Sequence, residues 1–321
     1  MPILADVYSY LDTQKRKLAD LLRNPGAAVD QAVGNMSDQQ NQQLNDASIA
    51  GLVPGQRSVL TSPEEQAAAM GRVADAGTSQ ALGGTFMGPG SKIWRADQAA
   101  EAMDFLKNKS QTWRQTGTAQ GPEGKLRQEI ADQPAALRKG ITRTGGTVSD
   151  YLNHPELFEA YPSLAKLKLQ SVPGASSEFN PNTGIISIGD REFSQKSALL
   201  HELQHGIQQE EGFAQGGSPT TYYPVYKQLI RAQYPNWSQE AINKQATELA
   251  YQQYRKLGGE VESRIVQKRF ELPVSKLSEQ HPYMMGEIPL DQMVVKQGGQ
   301  DPGYQDLTTR LVKLLRSQAG L

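Results

Sequence analysis

The chain of 321 residues contains no cysteine. Disulfide bonds, a thiol nucleophile and thiolate metal ligands are therefore excluded, and any metal site must be built from nitrogen and oxygen donors. Histidine is nearly as scarce, because the whole sequence contains only four. The candidates for a metal site are consequently four imidazoles and the carboxylates.

An excess of charge of one sign and a long apolar run are also missing. The 33 Lys and Arg residues balance 34 Asp and Glu residues, which leaves no basic field to hold a nucleic-acid backbone and predicts no specific nucleic-acid partner. No stretch approaches the roughly 18 apolar residues of a membrane span, and the first residues lack the pattern of a secretory signal. We therefore predict no membrane span and no delivery by the general secretory route.

Hydrophobic residues are few, at 37% of the chain, and the mean hydropathy is -0.57. Residues 1–85 predict a mostly helical N-terminal arm, because apolar residues recur at near-helical spacing in residues 3–22 and a helix start occurs at Ser62 and Pro63. The arm is rich in Gln, Asn and Ala and cannot close a core alone. Residues 86–297 form the predicted main domain, and residues 298–321 a C-terminal helical tail. The tail is amphipathic, since one stripe carries Leu307, Leu311, Leu314 and Leu315. We expect this stripe to dock either on this chain or on another.

The pattern HExxH occupies residues 201–205. In a helix, His201 and His205 would stand one turn apart on one face, where both can reach a single Zn²⁺. Glu202 could take a proton from the attacking water and pass it to the leaving group. This combination of residues is typical of a metallohydrolase.

The flanking residues predict that the motif is helical. Ser194 is a suitable N-cap, and Gly212 suits the C-terminal end of the helix. The histidines would lie nearly opposite an apolar side formed by Leu199, Leu200, Leu203 and Ile207. The histidine face would then line a cleft in an enzyme, or simply meet solvent if the pairing is accidental.

A catalytic zinc needs three protein ligands and one open position. In the extended pattern HExxHxxGxxH, the glycine would fall at Gln208 and the third ligand at Glu211. Because that glycine is missing, a continuing helix would carry Glu211 away from the metal. The alternative is a glutamate on a later helix, where Glu260 and Glu262 follow two glycines. We prefer Glu260 and leave Glu262 and Glu211 open.

Other polar residues have alternative interpretations. His154 precedes Pro155, which indicates a helix start and a structural role. His281, Tyr222 or Tyr223 could stabilise an oxyanion. The ordinary interpretation is that each of them has a structural place in the fold.

The remaining pattern predicts short strands and helices. Strand-like spacing occurs at residues 164–172, 184–188 and 288–295, and residues 117–124 predict a turn-rich connection. Residues 238–270 predict a long helical stretch with a break at its glycine pair. The strand at 185–188 is either an edge strand that could pair with a peptide substrate, or an internal strand of a small sheet.

Five blocks of this sequence resemble the large polyvalent protein-associated domains of bacteriophages and mobile elements. The blocks follow the family's order over about two-thirds of the chain. They are SQTWRQTG at 110–117, GPEGKLRQEIAD at 121–132, HPELFEAYP at 154–162, LLHELQHGIQQEEGFAQGG at 199–217 and GEVESR at 259–264.

The resemblance implies an α+β, zincin-like metallopeptidase domain, in which a small mixed or antiparallel sheet packs on the HExxH helix. It further implies Zn²⁺ held by His201, His205 and a glutamate of the closing block, with Glu202 as general base. The implied function is that of a phage-encoded zinc metallopeptidase that cleaves a peptide bond in a peptide or protein substrate. The implied location is the virion, the bacterial host cytoplasm or both.

The alternative is a structural or ejected virion protein. In that case the zincin-like domain would be a non-catalytic interaction module. The N-terminal and C-terminal helices would then bind other virion proteins or a second copy of the chain.

Overall fold

The structure, a computed structural model, describes residues 83–104, 113, 116–189, 194–272, 274–277 and 280–319. Apart from its last three residues, the arm predicted for residues 1–85 lies outside the described residues. The described residues divide into two units that interleave along the chain. The larger unit takes its residues from 83–217 and 255–300, and the smaller unit takes 218–254 and 301–319. Both helices and strands are present, and the mixed α+β class is confirmed.

The larger unit contains short strands. In chain order they are β1 (Phe86–Met87), β2 (Thr118–Gln120), β3 (Leu126–Glu129), β4 (Ala136–Leu137), β5 (Gly146–Thr147), β6 (Leu152–Asn153), β7 (Lys168–Val172), β8 (Glu178–Asn180) and β9 (Ile185–Gly189). Two antiparallel sheets have the orders β1-β3-β2 and β4-β6. A four-stranded sheet has the order β5-β7-β9-β8.

The four-stranded sheet is mixed, because β7 and β9 run parallel while β5 and β8 pair antiparallel with their neighbours. The interpretation of residues 185–188 as an edge strand is wrong, and the internal alternative holds. The turn after Asn180 returns the chain at once, so that β8 covers the side of β9 that β7 leaves open. A substrate peptide therefore cannot pair with β9.

Helices occur in both units. In chain order they are α1 (Ala96–Asp104), α2 (Val148–Tyr151), α3 (Pro155–Ala160), α4 (Gln195–Glu211), α5 (Pro219–Gln233), α6 (Gln239–Arg255), α7 (Gly258–Phe270), α8 (Val274–Leu277) and α9 (Pro302–Ala319). Among the described residues, no helix is both long enough and apolar enough to cross a membrane.

Helix α4 carries the HExxH motif and has the predicted caps. The Ser194 hydroxyl accepts a hydrogen bond from the backbone N–H of Ser197. Gly212 ends the helix at φ 59° and ψ 39°, a left-handed conformation that glycine adopts without strain. The polar N-cap and the glycine therefore set both ends of the helix.

The apolar residues of α4 join two buried clusters. Leu199, Leu203 and Ile207 pack with the mixed sheet, including Ile186 and Ile188 of β9. Leu200 instead packs with a second cluster that includes Val261 and Ile265 of α7. Because both sides are fixed, the histidine face of α4 is held against α7 rather than lying open to solvent.

The predicted helix at residues 238–270 is divided at Lys256 and Leu257, ahead of the glycine pair. Leu257 is extended, with φ -61° and ψ 128°, and acts as the N-cap of α7. A Cβ on Gly259 would lie 2.4 Å from the backbone of Gln215 and Gly216. The glycines therefore allow the start of α7 to lie directly against the loop that follows α4.

Two other predictions of local structure are wrong. Residues 118–120 of the predicted turn-rich connection form β2, which pairs with β3. The predicted strand at 288–295 forms a short 3₁₀ turn at Leu290–Gln292 and a single bridge between Val294 and Leu257. The bridge at Val294 depends on a residue distant in sequence, whereas β2 and β3 form a local hairpin.

In the smaller unit, α9 packs on α5. Leu307 and Leu311 are each 2% exposed, and the side-chain amide of Gln318 donates to the carbonyl oxygen of Ala232. Two members of the predicted leucine stripe are thus buried by this chain itself.

Candidate metal centre

Helices α4 and α7 bring His201, His205 and Glu260 together. Nε2 of His201 lies 3.6 Å from Oε2 of Glu260, and Nε2 of His205 lies 3.4 Å from Oε1. Ligand atoms of the three residues all lie within 4.8 Å of one another. This group could hold a metal ion.

The Glu260 carboxylate is buried, and its two oxygens have different environments. Oε1 accepts a hydrogen bond of 2.9 Å from the backbone N–H of Gly217. Oε2 has no hydrogen-bond partner among the described residues. A buried acceptor without a donor costs roughly 1–3 kcal/mol, and more if it is charged. A cation between Oε2 and the imidazoles would remove this cost.

The spacing of the donor atoms suits a small tetrahedral ion. Ligand bonds of about 2.0–2.1 Å place neighbouring donors about 3.3 Å apart. The two nitrogen–oxygen distances of 3.4 and 3.6 Å are close to that value. The three residues therefore fit a metal with two imidazoles and one carboxylate as ligands.

Electrostatics keeps Glu260 ionised. Burial alone would raise the pKa of this carboxyl, but the charges of His205, His201 and Arg264 and a contact with His201 bring it far below its ordinary value. Burial lowers the pKa of His205. Burial also opposes protonation of His201, but its contact with Glu260 and the charge of Glu202 raise the pKa overall. The carboxylate is therefore available as an anionic ligand.

Each imidazole is held through its other ring nitrogen. Nδ1 of His201 lies 3.0 Å from Oε1 of Gln267, and Nδ1 of His205 lies 2.8 Å from Oε1 of Gln208. Ser263 Oγ also lies 3.4 Å from Nδ1 of His205. Contacts of this kind orient metal-binding histidines, because they fix the ring and its tautomer. Here they leave both Nε2 atoms facing Glu260.

A glycine loop closes one side of the group. A Cβ on Gly216 would lie 2.2 Å from Oε1 of Glu260 and 2.5 Å from Cε1 of His205. Any side chain at this position would displace the donor atoms. Gly216 is therefore part of the site, although it offers no ligand atom.

Glu202 lies on α4 directly after His201 and is only 5% exposed. Its charge acts on His201, which places the carboxylate in the electrostatic environment of the group. The motif residue predicted as general base is therefore next to the candidate metal centre.

The two alternative third ligands lie elsewhere. The Glu262 carboxylate accepts hydrogen bonds from Arg127, Tyr283 and Gln208. The Glu211 carboxylate accepts hydrogen bonds of 2.7 Å from the Tyr161 hydroxyl and 3.0 Å from the backbone N–H of Gly90. Neither glutamate belongs to the histidine group.

The residues considered for an oxyanion have other contacts. The His281 ring lies 6.0 Å from the ring of Trp113 and 5.9 Å from that of Tyr283. In the smaller unit, the Tyr222 hydroxyl donates to Asp301, and the Tyr223 hydroxyl donates to Asn243.

His154 is the N-cap of α3, as its sequence context predicts. Its Nδ1 accepts a hydrogen bond from the backbone N–H of Leu157, and its Nε2 lies 2.7 Å from a carboxylate oxygen of Asp132. Both ring nitrogens of His154 therefore make structural contacts.

The sequence prediction did not assign roles to Gln208, Gln267 or Gly216. In the sequence, Gln208 stands out only because it replaces the glycine of a longer motif. The two glycines at 216 and 217 provide a usable signal, because adjacent glycines soon after a metal motif indicate a backbone that passes close to it. No local pattern indicates Gln267, which reaches His201 from another helix.

No family model matches this chain, and no curated protein or solved structure gives a significant match. The resemblance to polyvalent protein-associated domains therefore stays a prediction from the sequence blocks. The α+β fold and the geometry of the His/His/Glu group define the chain as a candidate metalloprotein.

Proposed function

We propose that this chain is a zinc-dependent hydrolase of the metallopeptidase type. His201, His205 and Glu260 would hold the zinc, and Glu202 would act as general base. The observation that carries the proposal is the buried Glu260 oxygen, which has no hydrogen-bond donor among the described residues and faces an imidazole nitrogen. Bound zinc supplies Lewis-acid chemistry, because it polarises a carbonyl and makes water more acidic.

The donor set favours zinc over Mg²⁺ and Ca²⁺. Two imidazole nitrogens and one carboxylate form a three-ligand set of the kind used in catalytic zinc sites, which keep the fourth position for water or substrate. Mg²⁺ and Ca²⁺ prefer oxygen ligands throughout. The absence of cysteine removes thiolate sites from consideration.

Burial and sequence position support Glu202 as the proposed proton carrier. It adjoins a ligand on the same helix and is nearly buried, so its carboxylate is shielded from bulk water. Such a carboxylate can accept the proton of the attacking water and deliver it to the departing amine. The proton transfer would therefore remain within the site.

A peptide or protein is the proposed substrate, and the virion or the bacterial host cytoplasm is the proposed location. Both rest on the resemblance to domains of bacteriophages and mobile elements. A peptide that extended the mixed sheet would have to pair with β5 or β8, because these are its edge strands.

Metal analysis of the purified chain is the direct test. We expect one zinc per chain in the wild type and a loss of zinc in His201→Ala and Glu260→Gln. Glu211→Gln is the matched control, because that carboxylate binds Tyr161 and Gly90 instead. A wild-type protein that binds no zinc after incubation with it would contradict the proposal.

A second measurement separates catalysis from binding. Glu202→Gln should keep the zinc and lose hydrolysis of a denatured protein substrate. Hydrolysis that persists in this variant would refute the role of Glu202. Zinc binding without hydrolysis in the wild type would favour the non-catalytic interaction module.

A further inference from the structure

Gln208 connects the candidate metal centre to a buried polar network. We propose that Gln208 is a positioning residue that fixes the tautomer of His205, with a proton on Nδ1 and a lone pair on Nε2. The consequence for metal binding rests on the proposed function, because Nε2 is the atom that faces Glu260. The tautomer itself is a property of the metal-free protein.

The orientation of the Gln208 side-chain amide follows from its neighbours. Its Nε2 lies 2.9 Å from the carbonyl oxygen of Gly259 and 3.3 Å from Oε2 of Glu262. A backbone carbonyl can only accept a hydrogen bond. Rotating the amide by 180° would place its oxygen against both of these acceptors. The NH₂ group must therefore face Gly259 and Glu262.

The groups around Glu262 support the same orientation. Nε of Arg127 donates to Oε1 of Glu262 over 3.1 Å, and the Tyr283 hydroxyl donates to the same oxygen. A guanidinium can only donate, so Oε1 of Glu262 acts as an acceptor toward Arg127. Among the described residues, the donor near the second oxygen, Oε2, is the NH₂ group of Gln208.

Arg127 is itself held in place. Its guanidinium contacts Glu123 at 2.5 Å, donates to the carbonyl oxygen of Lys125 over 3.0 Å, and lies 3.3 Å from the centre of the Phe213 ring. The Arg127 side chain is fully buried. The network therefore extends from β3 through α7 to α4, and each member limits the orientation of the next.

Because its NH₂ group faces Gly259 and Glu262, Gln208 contacts His205 through its amide oxygen. Oε1 lies 2.8 Å from Nδ1, and an amide oxygen can only accept a hydrogen bond. Nδ1 must therefore carry the proton. A neutral ring then has its lone pair on Nε2, which lies 3.4 Å from Oε1 of Glu260.

His201 provides an internal comparison. Its Nδ1 lies 3.0 Å from Oε1 of Gln267. Within the described part of the chain, the Gln267 amide makes no second hydrogen bond that would fix its orientation. Neighbouring acceptors therefore fix the amide that contacts His205, but not the amide that contacts His201.

The tautomer can be read directly by NMR. Long-range ¹H–¹⁵N correlation spectra of the metal-free protein distinguish a protonated Nδ1 from a protonated Nε2. Only four histidines contribute, so single His→Gln variants assign each ring. The spectra are recorded at about pH 8, where an ordinary imidazole is neutral. We expect the wild-type His205 ring to carry its proton on Nδ1.

Gln208→Leu removes the amide and keeps a side chain of similar size. We expect its His205 ring to lose the preference for a protonated Nδ1, and its zinc affinity to fall roughly 10–100-fold. Gln204→Leu is the matched control. Gln204 is equally buried on the same helix but bonds the backbone of Phe86, so its loss should leave the tautomer unchanged.

The outcomes separate this inference from the proposed function. A proton on Nε2 of His205 in the wild type overturns the inference, whether or not zinc binds and whether or not the variants fold. An unchanged tautomer in folded Gln208→Leu also overturns it. A protonated Nδ1 in a protein that binds no zinc supports the inference and contradicts the function.

Discussion

The Gly216→Ala substitution tests whether the loop after α4 shapes the candidate metal centre. The new Cβ would lie 2.2 Å from Oε1 of Glu260, whereas carbon–oxygen contacts are normally about 3.3–3.6 Å. The carboxylate oxygen must therefore move by about 1 Å. The colliding atoms belong to the side chains of Glu260 and His205 rather than to the backbone, so the fold can adapt while the donor atoms separate. The change should appear mainly in metal binding.

The size of the effect follows from the tolerance of a metal site. Metal–ligand distances vary by only about 0.2 Å, so a displacement of about 1 Å removes Glu260 from its position. Disturbing the groups that orient metal ligands typically lowers affinity by about 10–100-fold, and the upper value corresponds to about 2.8 kcal/mol. We expect a loss of that order in zinc affinity, measured by competition with a chromophoric chelator.

Gly217→Ala provides the matched control for this measurement. Its Cβ would lie 2.8 Å from Cδ1 of Leu257 and 3.6 Å from Nζ of Lys296, both at the ends of flexible side chains. The alanine also keeps the backbone N–H that donates to Glu260. We expect nearly unchanged affinity. If folded Gly216→Ala bound zinc as tightly as Gly217→Ala, the inferred contact between the loop and the donor atoms would be refuted.

Three further predictions concern catalysis, folding and pH. Glu202→Gln should retain zinc and lower the rate of peptide hydrolysis by roughly 100-fold or more, as the loss of a general base does; full activity would exclude the assigned role. Gly259→Ala should lower the free energy of unfolding by about 1–3 kcal/mol in a urea titration, because its Cβ would meet backbone atoms at 2.4 Å; an unchanged midpoint would contradict that close approach. Burial opposes ionisation of Glu287, but Arg255 and Lys268 lower its pKa overall. Its charge therefore stabilises the fold above the ordinary carboxyl pKa of about 4.3, and this contribution is lost as the pH falls through the lowered value. Glu287→Gln should cost on the order of 1 kcal/mol at pH 7 and progressively less in acid; a cost that grew in acid would show that the sign is wrong.

The helix of the candidate site follows from local sequence. The cap at Ser194, the left-handed Gly212 and the leucine spacing between them are determined by a few neighbouring residues, and all three predictions are confirmed. The selection of Glu260 over Glu262 and Glu211 also began from sequence. The missing glycine at 208 argues against Glu211, and the small residues before Glu260 and Glu262 favour both; the structure places Glu260 with both histidines.

Strand order could not be obtained in the same way. The pattern at residues 185–188 reports a buried strand, but it contains no information on whether one or both of its edges are paired. That depends on β7 and β8. In β7 the residue that pairs with Ile185 is Lys168, which lies 17 residues earlier in the chain. The pairing at β2 is not predicted either, although its partner β3 follows directly in the sequence. Flanking glycines indicate turns, while the strand between them is selected by its partner β3.

Gln208 links the motif to the choice of third ligand. In the extended motif a glycine at this position allows the chain to turn and deliver a ligand three residues later. Here α4 continues to Glu211, whose carboxylate binds Tyr161 and Gly90. The absence of that turn has two consequences at once: the third carboxylate must come from α7, and position 208 is free to carry a side chain that contacts both His205 and the first residues of α7. The glutamine at 208 thus leaves α4 without the third candidate ligand of the extended motif, and it provides a contact between α4 and the helix that carries Glu260.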